Sequence, residues 1–119
     1  MKDTGKINYV ELPSKNLAVT KRFFTDAFGW GFTDYGPDYT GFENAGLDGG
    51  FFQSDHVATT ANGSVLLVLY SGDLAQTLEQ VEASGGKIIR NIFTFPGGRR
   101  FHFSDPNGNE YAVWSEPDE

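Results

Sequence analysis

The sequence predicts an α+β protein made of two tandem strand-helix-strand-strand-strand modules. The first observation is the order of segments: a strand, a helix and three strands can be read from apolar periodicity and turn signals, and the same five then follow again. The second is an internal offset. Asn16, Leu17 and Ala18 recur as Asp73, Leu74 and Ala75, Phe24 as Val81 and Gly29 as Gly86, all 57 positions further on. The third is composition. Glycine makes up 15 of 119 residues and aromatics 15%, eleven of them Phe, which suits short strands joined by tight turns. A module of about 57 residues buries too little surface to close a core alone, so the two must pack together.

The first module spans about 5–54. Ile7 to Leu12 alternates and stops at Pro13, as a strand does. Asn16 caps a helix over Leu17–Phe28, in which Leu17, Thr20, Phe24, Ala27 and Phe28 share a face and Gly29 is the stop. Trp30–Tyr35 is a strand, Gly36-Pro37-Asp38 a turn, Tyr39–Glu43 a strand, Asn44–Gly49 a loop, and Gly50–Gln53 the fourth strand. Residues 55–63 lose the apolar pattern and read as a connector. The second module, about 64–116, opens with a strand over Val65–Tyr70. Asp73 caps a helix over Leu74–Ala83, which Ser84-Gly85-Gly86 ends. Strands follow over Lys87–Phe93, Arg99–Phe103 and Glu110–Ser115, separated by turns at Pro96-Gly97-Gly98 and Asp105–Asn109. The two modules form one domain over 1–119.

Nine basic and sixteen acidic residues give a net charge of −7. Such a surface repels phosphate and anionic lipid, so neither nucleic acid nor membrane is an expected partner. No apolar run approaches the roughly 18 residues of a membrane span. Met1–Gly5 lacks the apolar stretch of a secretory signal. The absence of cysteine excludes disulfides, thiolate metal sites and cysteine nucleophiles. The expected location is cytoplasmic.

Three segments then stand out in order: Tyr9-Val10-Glu11-Leu12-Pro13-Ser14-Lys15-Asn16-Leu17, Phe23–Trp30 with its Phe-Gly-Trp ending, and Ser104-Asp105-Pro106-Asn107-Gly108-Asn109-Glu110-Tyr111. Together they resemble the first strand and helix cap, the helix end, and the Asp-Pro-x-Gly-Asn turn of the vicinal oxygen chelate superfamily. That group contains glyoxalase I, bleomycin-resistance proteins, fosfomycin-resistance enzymes and extradiol dioxygenases. The resemblance covers nearly the whole chain. It implies a cupped mixed sheet around a ligand cavity, and a homodimer in which the cavity lies within one chain or is completed by the partner.

The superfamily's enzymes typically hold a divalent metal with His, Gln or Glu at equivalent points of the two halves. Carried over residue by residue, three of those positions fall on Tyr9, Leu66 and Ala112, and the fourth near Gln53–Asp55. Leucine and alanine carry no donor atom, and neutral tyrosine is a poor ligand for hard ions. No family-type metal and no other cofactor is therefore expected. The function that remains is binding of a small organic molecule in the cavity. The alternatives are a metal-independent lyase or isomerase using Glu11 or Tyr9, and a metal-dependent glyoxalase-type lyase or dioxygenase.

Strand alternation places Tyr9 and Glu11 on one face. The resemblance makes that face concave, with Leu66, Val68 and Ala112 opposite and Trp114 sharing the parity of Ala112. The expected ligand-binding residues are Tyr9, Glu11, Gln53 and Trp114, and the catalytic candidates Glu11 and Tyr9. Glu11 is either a carboxylate suited to acid–base chemistry or an exposed or paired one. Tyr9 either donates to a ligand or packs with a satisfied hydroxyl. His102, between Phe101 and Phe103, points away from the face those rings share, and His56 reads as solvated. Arg99-Arg100 either meets an anionic substrate at the cavity mouth or only flanks a turn. Asp105 reads as a turn residue.

Overall fold

The computed structural model describes residues 2–117; Met1, Asp118 and Glu119 lie outside it. The first module contains β1 (Val10–Ser14), α1 (Leu17–Phe28), β2 (Gly31–Asp34), β3 (Tyr39–Glu43) and β4 (Gly49–Gln53). A single 3-10 turn at Thr60–Asn62 interrupts the connector. The second module contains β5 (Leu67–Tyr70), α2 (Leu74–Ala83), β6 (Lys87–Phe95), β7 (Gly98–Ser104) and β8 (Glu110–Ser115). Each module keeps its own four-stranded mixed sheet, ordered β1-β4-β3-β2 and β5-β8-β7-β6. In both, the first and last strands run parallel and the other pairs antiparallel. Among the described residues no helix is long and apolar enough to cross a membrane.

Local chemistry explains most of the boundaries. The Asn16 and Asp73 side chains accept from the backbone N–H of Val19 and Gln76, both at 3.1 Å, as N-caps do. Gly29, at φ 74°, ends α1 in the left-handed conformation that favours glycine. A second pair of side chains repeats at the 57-residue offset. Ser14 Oγ lies 2.8 Å from Thr20 Oγ1, and Ser71 Oγ lies 2.6 Å from Thr77 Oγ1, tying each first strand to its helix.

Two expectations need correction. Pro13 lies inside β1 instead of ending it. β1 is an edge strand whose Val10 N–H and Ser14 carbonyl bond to the β4 side, so Pro13 faces the free edge and costs no ladder hydrogen bond. The strand starts at Val10, where β4 first offers a partner, and Ile7 is left exposed. Gly86 is not the helix-ending counterpart of Gly29; Gly85, at φ 105°, takes that role. A Cβ on Gly86 would lie 2.9 Å from the Phe23 ring and 2.7 Å from Val81, so close packing of α1 against the second module requires glycine there.

The core lies between the sheets, with α1 at its centre. Phe24 is fully buried: its ring stacks on Trp30 at 4.4 Å and on Phe51 of β4 at 5.6 Å, and meets Tyr111 of β8 edge-on at 5.3 Å. Phe23 reaches Phe103 of β7. Burial of each such ring contributes about 2–3 kcal/mol, and these rings join the two modules.

The Asp105–Asn109 turn is a second joint. Asn107 Nδ2 donates to Thr20 Oγ1 at 2.7 Å and to the Asn16 carbonyl at 3.1 Å, while Asn109 Nδ2 donates to the Pro13 carbonyl at 2.7 Å. Asp105 holds the turn in shape. Its Oδ1 accepts from the N–H of Asn107 and Asn109, and its Oδ2 from the Tyr111 hydroxyl at 2.7 Å. Burial pushes the Asp105 carboxyl above the usual carboxylate range against the pull of those bonds.

Candidate functional site

Alternation along β1 turns Leu12 and Ser14 toward α1 and leaves Glu11 on the open face of the first sheet. The ladder sets Glu11 beside Gly50, Gly50 beside Gly41, and Gly41 beside Thr33. A row across the sheet therefore carries no side chain at its middle two positions. Tyrosines occupy the space above. A Cβ on Gly50 would lie 2.2 Å from the Tyr39 hydroxyl, and one on Gly41 would lie 3.2 Å from the Tyr35 ring.

Tyr39 joins the two residues singled out in the sequence. Its hydroxyl lies 2.7 Å from that of Tyr9 and donates to Glu11 Oε2 at 2.9 Å. Partial burial, followed by the hydrogen bonds with Tyr9 and Glu11, raises the Tyr39 pKa far above the usual tyrosine value. The phenol thus stays a protonated donor. Sequence reasoning missed Tyr39, although its parity with Gly41 in β3 was available as a signal. Beside the three hydroxyl and carboxylate groups lies a hollow of about 240 Å³, walled by Tyr9 and Tyr35, floored by Gly41 and rimmed by Glu43 and Asp48. Neither rim carboxylate takes a hydrogen bond or ion pair from another described residue.

The equivalent row on the second sheet reads Val68, Ala112, His102 and Arg90. Here the sheet fills its own face. His102 points away from Phe101 and Phe103, as its parity requires, yet it is only 8% exposed. It stacks on Phe93 at 5.9 Å, and its Nδ1 lies 3.0 Å from Glu110 Oε2. The Arg90 guanidinium caps Phe93 at 3.6 Å. Glu110 Oε1 accepts from the Thr60 N–H and hydroxyl at 2.8 and 2.9 Å. Burial alone would raise the Glu110 pKa; the bonds from Thr60 and His102 outweigh it and hold the carboxyl below its ordinary value. Arg100 points into this layer, 5.5 Å from the Phe93 ring, while His56 is exposed in the connector.

The two remaining ligand candidates do not join Tyr9 and Glu11. Gln53 shares the parity of Phe51, on the α1 side of β4, and its Nε2 donates to the Lys15 carbonyl at 2.7 Å. Trp114 sits on the second sheet, edge-on to Tyr70 at 5.3 Å. The positions Tyr9, Leu66 and Ala112 do not suit a divalent ion: two lack donors, Ala112 is fully buried, and the Tyr9 hydroxyl is bound to Tyr39. Among the described residues no group of three or more His, Asp or Glu could hold a metal. A larger groove, about 520 Å³, runs between β5 and the Asn44–Leu47 loop, with Trp30, Phe42, Leu67 and Leu69 in its walls.

A family model described as the Glyoxalase/Bleomycin resistance protein/Dioxygenase superfamily matches residues 6–113. Among solved structures, a glyoxalase-related enzyme from Fulvimarina pelagi is 18% identical and superposes with a TM-score of 0.78 over 94% of this chain and 88% of that one. The genomically encoded fosfomycin resistance protein FosX from Listeria monocytogenes is also 18% identical, with a TM-score of 0.76 over 95% and 94% of the two chains. TnmS3, an antibiotic binding protein from Streptomyces sp. CB03234, is 20% identical, with a TM-score of 0.70 over 98% and 99%. Identities this low show a shared fold. A search of curated proteins finds no match.

Proposed function

The chain belongs to the Glyoxalase/Bleomycin resistance protein/Dioxygenase superfamily, and from that premise we propose that it binds a small organic molecule on the open face of its first sheet, without a divalent metal. One observation carries the proposal: Gly41, bare of a side chain, floors a hollow walled by Tyr9 and Tyr35, while Tyr39 fills the space over the neighbouring Gly50. Tyr9 and Tyr35 are 46% and 66% exposed there, apolar area that a ligand would cover. The Tyr9 hydroxyl and the Glu43 and Asp48 carboxylates line the hollow and supply polar groups that would fix a ligand's orientation, while Tyr39 and Glu11 hold Tyr9 from the side. The same fold in an antibiotic binding protein supports a binding role.

A homodimer is part of this reading. β5 is a free sheet edge, its Val68 and Tyr70 are 43% and 55% exposed, and the apolar groove runs alongside. A second copy would cover that edge. Sedimentation or light scattering should give twice the chain mass.

A second reading, metal-independent lyase or isomerase chemistry, is favoured by Glu11. Its Oε2 accepts from the Tyr39 hydroxyl and its other oxygen accepts from no described residue, which leaves that oxygen open to a substrate. Thermal-shift screening against metabolites and antibiotics, with and without divalent metals, tests both readings. The expected result is a hit whose stabilisation is unchanged by chelator and altered in Glu11→Ala, with the circular dichroism unchanged. Turnover of that hit, lost in Glu11→Gln, would favour the catalytic reading. Hits that appear only with added metal, or that bind Glu11→Ala equally well, would overturn the proposal.

A further inference from the structure

The hollow on the first sheet has a definite electrostatic character. Its walls are the rings of Tyr9 and Tyr35, and its charged rim is Glu43 and Asp48, with Glu11 adjacent across the Tyr39 hydroxyl. No lysine or arginine lines it. The only ion pair of Lys or Arg among the described residues, Lys21 with Asp34, leaves these three acids without an internal counter-charge. Aromatic faces carry negative potential, and carboxylates without a counter-ion add to it. The second sheet is the control within the same molecule: there Arg90 and Arg100 lie against the Phe93 ring, at 3.6 and 5.5 Å, and supply the cation themselves.

We infer that the occupant of this hollow is an organic cation, a protonated amine or quaternary ammonium group, seated between the Tyr9 and Tyr35 rings with Glu43 and Asp48 as counter-charges. This rests on the small-molecule reading above and names the chemical class it would take. A volume of about 240 Å³ is large enough for a small ammonium headgroup. A bare metal ion fits poorly, because the walls are rings and the floor is glycine, with few oxygens to complete a coordination shell. A net charge of −7 also raises the local concentration of cations over the open face.

The test uses the full chain, choline, and the neutral isostere in which carbon replaces the quaternary nitrogen. By calorimetry, choline should bind once per chain and the isostere about tenfold more weakly, as expected for a cation against aromatic faces and carboxylates. Tyr35→Ala and Glu43→Gln should each weaken choline several-fold, and added salt should weaken it further. Equal affinity for the two probes, or no choline binding at millimolar concentration, overturns the inference. So does choline binding left unchanged in both variants. Gly41→Leu, which fills the hollow, separates this inference from the reading beneath it. An uncharged compound that binds and is lost in Gly41→Leu leaves the small-molecule reading standing and removes the preference for cations. Ligands that bind Gly41→Leu undiminished remove both.

Discussion

The two sheets share one topology and use it in opposite ways. On the first, the row Glu11, Gly50, Gly41, Thr33 has no side chain of its own at its two central positions; on the second, the matching row Val68, Ala112, His102, Arg90 carries one at each. All four positions differ, and the central two decide what stands above the sheet. Glycine at 50 makes room for Tyr39 and glycine at 41 floors a hollow beside Tyr9 and Tyr35, whereas His102 with Glu110 and Phe93 turns the same place into a second small core. The loops into the last strands differ in the same sense. Asn44 and Gly46–Asp48 are exposed, while Asp105 and Asn109 are buried and hold the modules together. The repeated scaffold thus leaves one sheet face and its loop open to solvent and packs the corresponding parts of the other half.

That contrast can be broken at the loops, where the largest effect is expected. Asp105→Ala removes three accepted hydrogen bonds from a buried turn and should cost about 3 kcal/mol in urea denaturation. Asp48→Ala, in the exposed loop of the first module, should change stability by less than about 0.5 kcal/mol. Equal losses would end the distinction between the loops.

Exchanging the central residues of the two rows should give the next largest effects. His102→Gly leaves a hole beneath Phe93 and takes one partner from Glu110, and should cost about 2 kcal/mol. Gly41→His places a ring in the hollow, where the exposed Tyr35 side chain must shift by a few tenths of an ångström, so stability should change by less than about 1 kcal/mol. The exchanged protein should fold by circular dichroism and lose whatever binds the hollow. A Gly41→His variant that does not fold would show that the hollow is structural after all.

The smallest effect concerns acid. The folded chain holds Glu110 below its ordinary value of 4.5. Its contribution is therefore fully present above that pH and is lost as pH falls through the lower folded value. Asp105 runs the other way: its raised carboxyl takes a proton more readily when folded, and so favours the folded state on acidification. The urea midpoint of Glu110→Gln should fall less steeply than that of the unaltered protein below about pH 5. Parallel slopes would show that the Thr60–Glu110–His102 bonds contribute nothing measurable.

Much of this molecule was already determined by the sequence. Both helices start at the expected caps and end at the expected residues, and β3 and β8 match the ranges read from the sequence. Alternation, capping and turn glycines act over a few residues, so a sequence displays them directly. The pairing of Tyr9 with Glu11 on one face was legible for the same reason, since two residues apart on a strand is a local relation. Only the tertiary structure decided what surrounds them. Tyr39 reaches Glu11 across 28 positions because β4 lies between their strands and offers glycine there. Gln53 turned to the helix side, and Trp114 went to the other sheet. The Asp-Pro-Asn-Gly-Asn segment announced a turn, but its bonds to Pro13, Asn16 and Thr20 span 87 to 96 positions. A local pattern carries no trace of such partners, because they are chosen by how two separately patterned sheets pack against one helix.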